Sequence, residues 1–422
     1  MKMKQSILLL SLLIPLSAWA NIDWVKPSVL GVEKKTIALR QHIHQNPELG
    51  NMEFKTSKLV EKELRSYGID VKTGFAKTGV VGILKGAKPG PVMALRADMD
   101  ALPVEEKTGL SFASKAKATY QGETSSVMHA CGHDTHTAML LAAAKVLADN
   151  KDKIAGTVVF LFQPAEEGAA DLDIFTQGHL AGARKMISDG ALSQPKPEVI
   201  FGMHAAAGLP SGHLYYKTGT VLNSADFVKI NLKGVQAHGA MPWLAKDPIV
   251  ASAQVINQLQ TIISRQSDLS KGSGVVTIAS IQGGSAGNII PEEVEMKGTI
   301  RANHEDIRQN ILKILPDMVK NTAAANGVEA KVDISTYAPV TSNDATLTQL
   351  MQPTLASAAG SDQLHLLAES LSPSEDFAFY GELMPSLYIF LGATPVTDDL
   401  SKAAANHSPY FIVDDATLKT GV

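Results

Sequence analysis

Two kinds of apolar pattern alternate along the chain. In the first, apolar residues run without interruption and stop at charged, amide or histidine side chains. "PVMALRADMDALP" passes from residues 92–95 into Arg96, Asp98 and Asp100; "GTVVFLFQPAEEG" passes from 158–162 into Gln163, Glu166 and Glu167; "EVIFGMHAAAGLPSG" passes from 199–201 into His204. Runs of this length predict strands buried on both faces. "SLYIFLGA" predicts another, followed by the polar loop "NHSPYF" with His407. Between these runs, "DTHTAMLLAAAKVLADN" keeps helical spacing through Ala138, Leu141, Ala142, Lys145 and Val146 and stops at Asn150. Cys131 and His133 then fall in the loop just ahead of that helix. Strands separated by helices predict an α/β unit, and in open α/β sheets ligands gather beyond the carboxyl ends of strands.

The second pattern is strict alternation, confined to the middle of the chain. "DFVKINLKG" places Val228, Ile230 and Leu232 on one face, and "EEVEMKGTIRA" does the same with Val294, Met296 and Ile300. "GVVTIASIQGG" and "KVDIST" alternate as well. Two helical stretches lie among them. "KDPIVASAQVINQLQTIISRQ" has Asp247 as N-cap, Pro248 at the first helical position and apolar Val255, Ile256, Leu259 and Ile263. "EDIRQNILKILPDMVKNTAAANG" is expected to be disturbed at Pro316. The order β-α-β-β-α-β is the ferredoxin-like arrangement. It places a second domain at about 220–337, inserted into a first domain built from about 21–219 and 338–422. No internal repeat or low-complexity segment competes with that division.

Composition narrows the function classes. A chain of 422 residues is too long for one compact core. Its net charge of −4, with 38 basic and 42 acidic side chains of mixed order, offers no basic footprint for nucleic acid. The opening "MKMKQSILLLSLLIPLSAWA" joins Lys2 and Lys4 to a short apolar run and a small-x-small ending at Ala18-Trp19-Ala20. That is the pattern of a secretory signal over 1–20, cleaved after Ala20, so the expectation is an exported protein, periplasmic or secreted, with no membrane span after cleavage. The single cysteine has no disulfide partner within the chain.

Candidate chemistry concentrates in "HACGHDTHTAM", which holds three of the twelve histidines and the lone Cys131. Cations are bound by thiolate, neutral imidazole and carboxylate. Cys131, His133, Glu166, Glu167, His204 and His407 are the residues of those types that fall at strand ends or in loops. Charges at the end of an apolar strand need a partner or a cation, as Glu166 and Glu167 would. His129 and His136 read as orienting or packing residues. His42, His44, His179, His213, His304 and His365 read as surface or local hydrogen-bonding residues.

These residues belong to a longer series of motifs. "RADMDALP", "HACGHDTHTAMLL", "QPAEEG", "GVQAHGAMPW", "GGSAGNIIPE", "GTIR" and "PSEDFAFY" resemble, in order, the motifs of the metal-dependent amidohydrolases that include hippurate hydrolase and the plant auxin-conjugate hydrolases, relatives of aminoacylases and carboxypeptidases. The resemblance implies a zinc-peptidase-like catalytic domain, a mixed sheet flanked by helices, with an inserted ferredoxin-like (βαββαβ) dimerisation domain. It implies two divalent metal ions per subunit (Zn, Mn, Co or Ni) and a homodimer. The implied substrate is an N-acyl amino acid or a short peptide. Carried onto this sequence, it implies Cys131 as a thiolate shared by both metals and His133, Glu167, His204 and His407 as the other ligands. Glu166 matches the general base, His238 the histidine that stabilises the oxyanion, in relatives often that of the partner subunit's site, and Asn288 and Arg301 residues that contact the substrate.

Two features depart from the family pattern. After "PAEEG" the chain carries about ten extra residues, roughly 169–180, whose Leu172, Ile174 and Phe175 are expected to wall the acyl pocket or cover it. Where aminoacylase-type relatives carry a histidine ligand, this chain has Asp98, which leaves a metal role for Asp98 and Asp100 open. A dipeptidase or carboxypeptidase with the same centre is the alternative enzyme. A fold that kept its metals and lost catalysis is the alternative outside enzymes.

Overall fold

A computed structural model of the chain describes residues 23–175 and 180–422. The signal segment expected at 1–20 and His179 lie outside the described residues.

The uninterrupted apolar runs form the middle of an eight-stranded sheet. Its order is Asp70–Phe75, Gly79–Lys85, Ala155–Gln163, Lys88–Asp98, Val199–Pro210, Ser386–Thr394, Leu214–Tyr216 and Leu364–Leu366. The four central strands, from Ala155–Gln163 to Ser386–Thr394, are mutually parallel, and antiparallel pairings flank them on both sides. All nine residues of Ser386–Thr394 are buried. The strand Ala155–Gln163 shows why its run is continuous. Successive side chains point to opposite faces, so Val158, Phe160 and Phe162 enter one core with Val60, Leu64, Leu141 and Ala144. Val159 and Leu161 enter the other with Met186, Phe377 and Tyr380. Helices Phe54–Ser66 and His133–Asp149 cover the first face, and the short helices Gly182–Ser188 and Ala378–Gly381 cover the second.

The alternating segments form a separate four-stranded antiparallel sheet ordered Gly274–Gln282, Glu293–Ala302, Ala225–Lys233 and Glu329–Ala338. Val228, Ile230, Leu232, Val294, Met296 and Ile300 share one core with the helices Pro248–Gln266 and Glu305–Ala325. The arrangement is ferredoxin-like. Asp247 caps the first helix, its side chain accepting from the amides of Ile249 and Val250 at 2.8 and 3.2 Å. Pro316 does not interrupt the second, which runs on through it. Ile311, Leu315 and Val319, all fully buried, flank the proline on one face. Their burial, about 1.5–3 kcal/mol each, offsets the single backbone hydrogen bond that the proline removes.

Candidate metal centre

The site forms where the central strands deliver their polar ends. Lys88–Asp98 pairs with Val199–Pro210 only as far as Arg96 and Gly202, so the neighbouring strand is uncovered just beyond. His204 lies there, inside a strand that continues to Pro210, and not beyond its end as the sequence suggested. His133 is likewise the first residue of the helix His133–Asp149, not part of the loop before it. Gly132 makes that sharp entry possible. Its φ of +102° is strained for any side chain, and an added Cβ would stand 3.2 Å from Ala205 Cβ.

Cys131 sits at the centre. Its Sγ is 3.3 Å from His204 Nε2 and 3.2 Å from His407 Nε2, and His407 Nε2 is 2.9 Å from Glu167 Oε1. Two donor groups therefore share one thiol, Cys131–His133–His204 and Cys131–Glu167–His407, each with its ligand atoms within 4.8 Å of one another. Asn406 ties its own loop to the Cys131 loop and to the strand Val199–Pro210. Its amide donates to the carbonyls of Cys131 and Ala205 and its oxygen accepts from the Ala207 amide, all at 3.0 Å. The next residue, His407, adopts a φ of +71° and donates its own amide to Ala130 at 2.7 Å.

Hydrogen bonds leave the ligand atoms free. His204 Nδ1 donates to the Ala205 carbonyl at 2.8 Å, so Nε2 keeps its lone pair. Burial and the neighbouring His136 hold this ring well below its ordinary pKa, hence neutral. His133 Nδ1 meets Asp100 Oδ1 at 3.2 Å, while its Nε2 is buried without a hydrogen-bond partner. Asp100 also accepts from the Glu167 amide at 2.8 Å, so it orients two candidate ligands at once. Burial alone would lower His133, yet Asp98, then Asp100 and Glu167, raise it to about 10. The surroundings thus favour a positive charge at that open nitrogen. Burial and then the carboxylates of Glu167, Glu166 and Asp98 push the Cys131 thiol well above its ordinary value. A cation at Sγ is what would make a thiolate tenable among those carboxylates. Thiolate, neutral imidazole and carboxylate are the donors that divalent transition metals take, so the residues present fit such ions.

The bland reading of His136 holds. Its Nδ1 donates to Asp98 at 2.6 Å and its Nε2 accepts from the Ala205 amide at 2.8 Å, leaving no lone pair for an ion. His129 is buried with both ring nitrogens unpaired. His44 is buried rather than superficial, between Asp134 at 2.9 Å and Glu106 at 3.1 Å. His304 caps a helix, and His213 pairs with His365 at 2.9 Å.

Glu166 is buried, with Oε2 3.9 Å from His133 Nε2. Burial, then the charges of Glu375, Glu167 and Asp376, raise it well above the ordinary carboxylate range. Behind it lies a web that sequence reading missed. Arg96 donates to Gln163 at 2.9 Å, Asp98 at 2.6 Å, Glu375 at 2.9 Å and Asp376 at 3.0 Å. The signal available was the buried charge of Arg96 directly after an apolar run. Tyr337, from the last strand of the inserted unit, meets Glu166 at 2.8 Å. Arg301 Nη1 donates to Ser374 Oγ at 2.9 Å, beside that web. His238 and Asn288 stand elsewhere. His238 pairs with Ile289 in a small exposed ladder, and the Asn288 carbonyl accepts from Gly239. Among the described residues no hydrogen bond or ion pair joins either one to the Cys131 groups.

The described part of the extra segment, 169–175, touches both units. Asp171 binds Asn51 and Lys77, the Ile174 carbonyl accepts from Ser335 at 2.6 Å, and Lys229 lies over the Phe175 ring at 4.8 Å.

Two donor groups joined by one thiol, with a buried carboxylate beside them, are a donor set of the kind that metal-dependent hydrolases use. Comparison with known proteins places that class within one family. The model of peptidase family M20/M25/M40 matches residues 94–422, and the chain belongs to that family. Thermostable carboxypeptidase 2 of Saccharolobus solfataricus is 37% identical over 402 residues, 95% of this chain and 96% of that protein. Hippurate hydrolase of Campylobacter jejuni is 37% identical over 365 residues, covering 86% and 90%. A solved dinuclear metal-binding peptidase of the M20 family from Bacillus subtilis superposes with a TM-score of 0.73 at 32% identity, covering 93% of this chain and 96% of that one. The chain is accordingly a hydrolase of amide or peptide bonds of the M20 metallopeptidase type.

Proposed function

We propose that this chain cleaves the amide bond of N-acyl amino acids, with water as the nucleophile and Glu166 as the proton carrier. The observation that carries the reading is the Cys131 thiol, common to both donor groups, with the Glu166 carboxylate alongside. Cys131, His133 and His204 would hold one divalent ion, and Cys131, Glu167 and His407 the other. Zn, Mn, Co and Ni all suit these donors. When bound, such ions polarise the amide carbonyl and acidify water to a pKa of about 7.

The chain's own residues do the rest. Glu167 is committed to the donor group, which leaves the adjacent Glu166 free to take a proton from the attacking water and return it to the leaving amine. Burial and the neighbouring carboxylates raise its proton affinity, which helps it hold the proton between the two transfers, while the cations beside it would favour the ionised form that first accepts that proton. Asp100 keeps His133 and Glu167 oriented. Arg301 would bind the substrate carboxylate, with Asn288 as a further substrate contact. His238 would donate to the oxyanion. It is exposed on its own unit, so it would serve the site of a second copy, and a homodimer is part of the proposal. The likeness to a hippurate hydrolase favours acyl amino acids. The likeness to a carboxypeptidase keeps a peptidase as the second reading.

A panel of acyl amino acids set against a panel of dipeptides, each with and without chelator, separates the two readings. Glu166→Gln should keep its metal and lose turnover by roughly 10²–10⁴; loss of metal instead would make Glu166 a ligand. His238→Ala should lose roughly a hundredfold, the share of an oxyanion donor worth about 3 kcal/mol. If neither panel is cleaved by protein reloaded with Mn, Co or Zn, the catalytic reading fails. The proposal extends to export, supported by the charged, apolar and small-residue order of 1–20. Protein recovered from its native compartment should begin at Asn21.

A further inference from the structure

The strand Glu329–Ala338 closes the inserted unit and ends against the candidate site. Tyr337 Oη lies 2.8 Å from Glu166 Oε1 and 2.7 Å from the carbonyl oxygen of the same residue. A phenol has one proton to donate and lone pairs to accept with, so it cannot donate to both oxygens at once. Each protonation state of Glu166 nevertheless has a satisfied arrangement. With the carboxylate ionised, the Tyr337 O–H donates to Oε1. With the proton on Oε2, the oxygen that faces the donor groups and would receive it from the water, Oε1 still accepts from the Tyr337 O–H. The bond from Tyr337 is the same in both. The phenol keeps its proton throughout, and no bond of Tyr337 forms or breaks.

We propose that Tyr337 is the positioning residue of the proton carrier, holding Glu166 in one rotamer through both halves of the reaction so that Oε2 stays directed at the donor groups. The inference rests on Glu166 being the base. Among the described residues, Tyr337 makes the one hydrogen bond to that carboxylate. The nearby Glu375 and Asp376, grouped with Glu166, are acids that repel it when charged. The strand end is itself anchored. Ser335 Oγ donates to the Ile174 carbonyl at 2.6 Å, and Thr336 Oγ1 accepts from Arg308 Nη2 at 3.0 Å. Arg308 in turn grips Asp226 with two bonds of 2.8 Å. The base thus sits on one unit and its support on the other.

The test compares the full chain carrying Tyr337→Phe, 3,5-difluorotyrosine at position 337, or Glu166→Gln with the unaltered protein. It uses an acyl-amino-acid substrate, Mn²⁺ or Zn²⁺ titrated into metal-free protein, and melting curves. Tyr337→Phe should lower kcat ten- to a hundredfold, leave KM within twofold, and leave the number and affinity of bound ions unchanged. Difluorotyrosine keeps the shape and strengthens the donor, so it should restore much of the lost kcat while holding it measurably off the native value. Unaltered kcat in Tyr337→Phe overturns the inference, as does a loss of kcat matched by loss of ions, which would mark a strut of the site. If Tyr337→Phe melts too low to assay, difluorotyrosine decides alone, and a native kcat there overturns the inference. An active Glu166→Gln protein would remove the base assignment itself. An inactive Glu166→Gln protein beside a fully active Tyr337→Phe protein would remove only this inference.

Discussion

Arg96 is where the fold should be most sensitive to one substitution. The side chain is 1% exposed and its guanidinium binds Asp98, Glu375, Asp376 and the Gln163 amide oxygen. Arg96→Met keeps most of the apolar stem and removes every one of those donors. Three buried carboxylates then lose their common cation. Breaking a buried pair by removing one partner costs about 3–5 kcal/mol, because the charge left behind is uncompensated. At about 2 °C per kcal/mol for a large domain, the melting temperature should fall by roughly 6–10 °C. The measurement is a thermal or urea melt followed by circular dichroism in chelator, since bound metal would stabilise the folded state by mass action and mask the loss. Arg96→Lys should fall between, keeping the charge but not the planar fork that spans several acceptors. A loss below about 1 kcal/mol in Arg96→Met would refute the reasoning, because it would mean that the carboxylates are neutral without the guanidinium and that the web is held by ordinary hydrogen bonds.

Other perturbations test other parts of the molecule. Burial opposes charge on His44, but the charge and hydrogen bond of Asp134 and the hydrogen bond of Glu106 raise it from 6.5 to about 9. A group whose folded pKa is raised contributes stability that is complete below about pH 6.5 and lost as pH rises through about 9. The stability difference between unaltered protein and His44→Gln, about 3 kcal/mol at pH 6, should shrink toward zero by about pH 10 in parallel melts. Asn406→Ala removes three hydrogen bonds, worth about 2–3 kcal/mol together, and should weaken metal affinity through the segments it joins; a titration of metal-free protein checks this. Asp247→Ala removes a helix cap and should cost about 1 kcal/mol without touching turnover. Added Zn²⁺ or Mn²⁺ at a thousandfold excess over its dissociation constant should stabilise the unaltered protein by about 4 kcal/mol, and Cys131→Ser should lose most of that gain.

Much of this architecture is written locally. The runs at 158–162 and 199–201 predict central strands because a strand covered on both faces must be apolar at every position, and both are strands of the large sheet. The N-cap at Asp247 needs only its own neighbours. What sequence reading missed depends on contacts distant along the chain. Arg96 meets Glu375 across 279 residues, and Tyr337 meets Glu166 across 171. No spacing rule links such pairs. The lengths of strands are also set by their partners, which is why His204 belongs to a strand whose apolar run ends before it. Pro316 shows the opposite error, a local rule overridden by tertiary packing.

Among the described residues, polar contacts join the inserted unit to the part of the chain that carries the donors. Ser335, Tyr337 and Arg301 each reach across, to Ile174, Glu166 and Ser374. Inter-domain contacts of this polar kind hold less firmly than a shared apolar core, and the two units keep separate cores. Any rotation between them therefore acts first on these hydrogen bonds. Of the three, one ends on the proposed base and another fixes the proposed carboxylate anchor. The donor groups around Cys131 draw on the large-sheet side of the chain alone, so they would persist through such a rotation. Metal binding and turnover are then separable properties of this fold. A variant loosened at Ser335 or Arg308 should bind its ions with unchanged affinity while its kcat falls, whereas a variant loosened at Asn406 should lose both together.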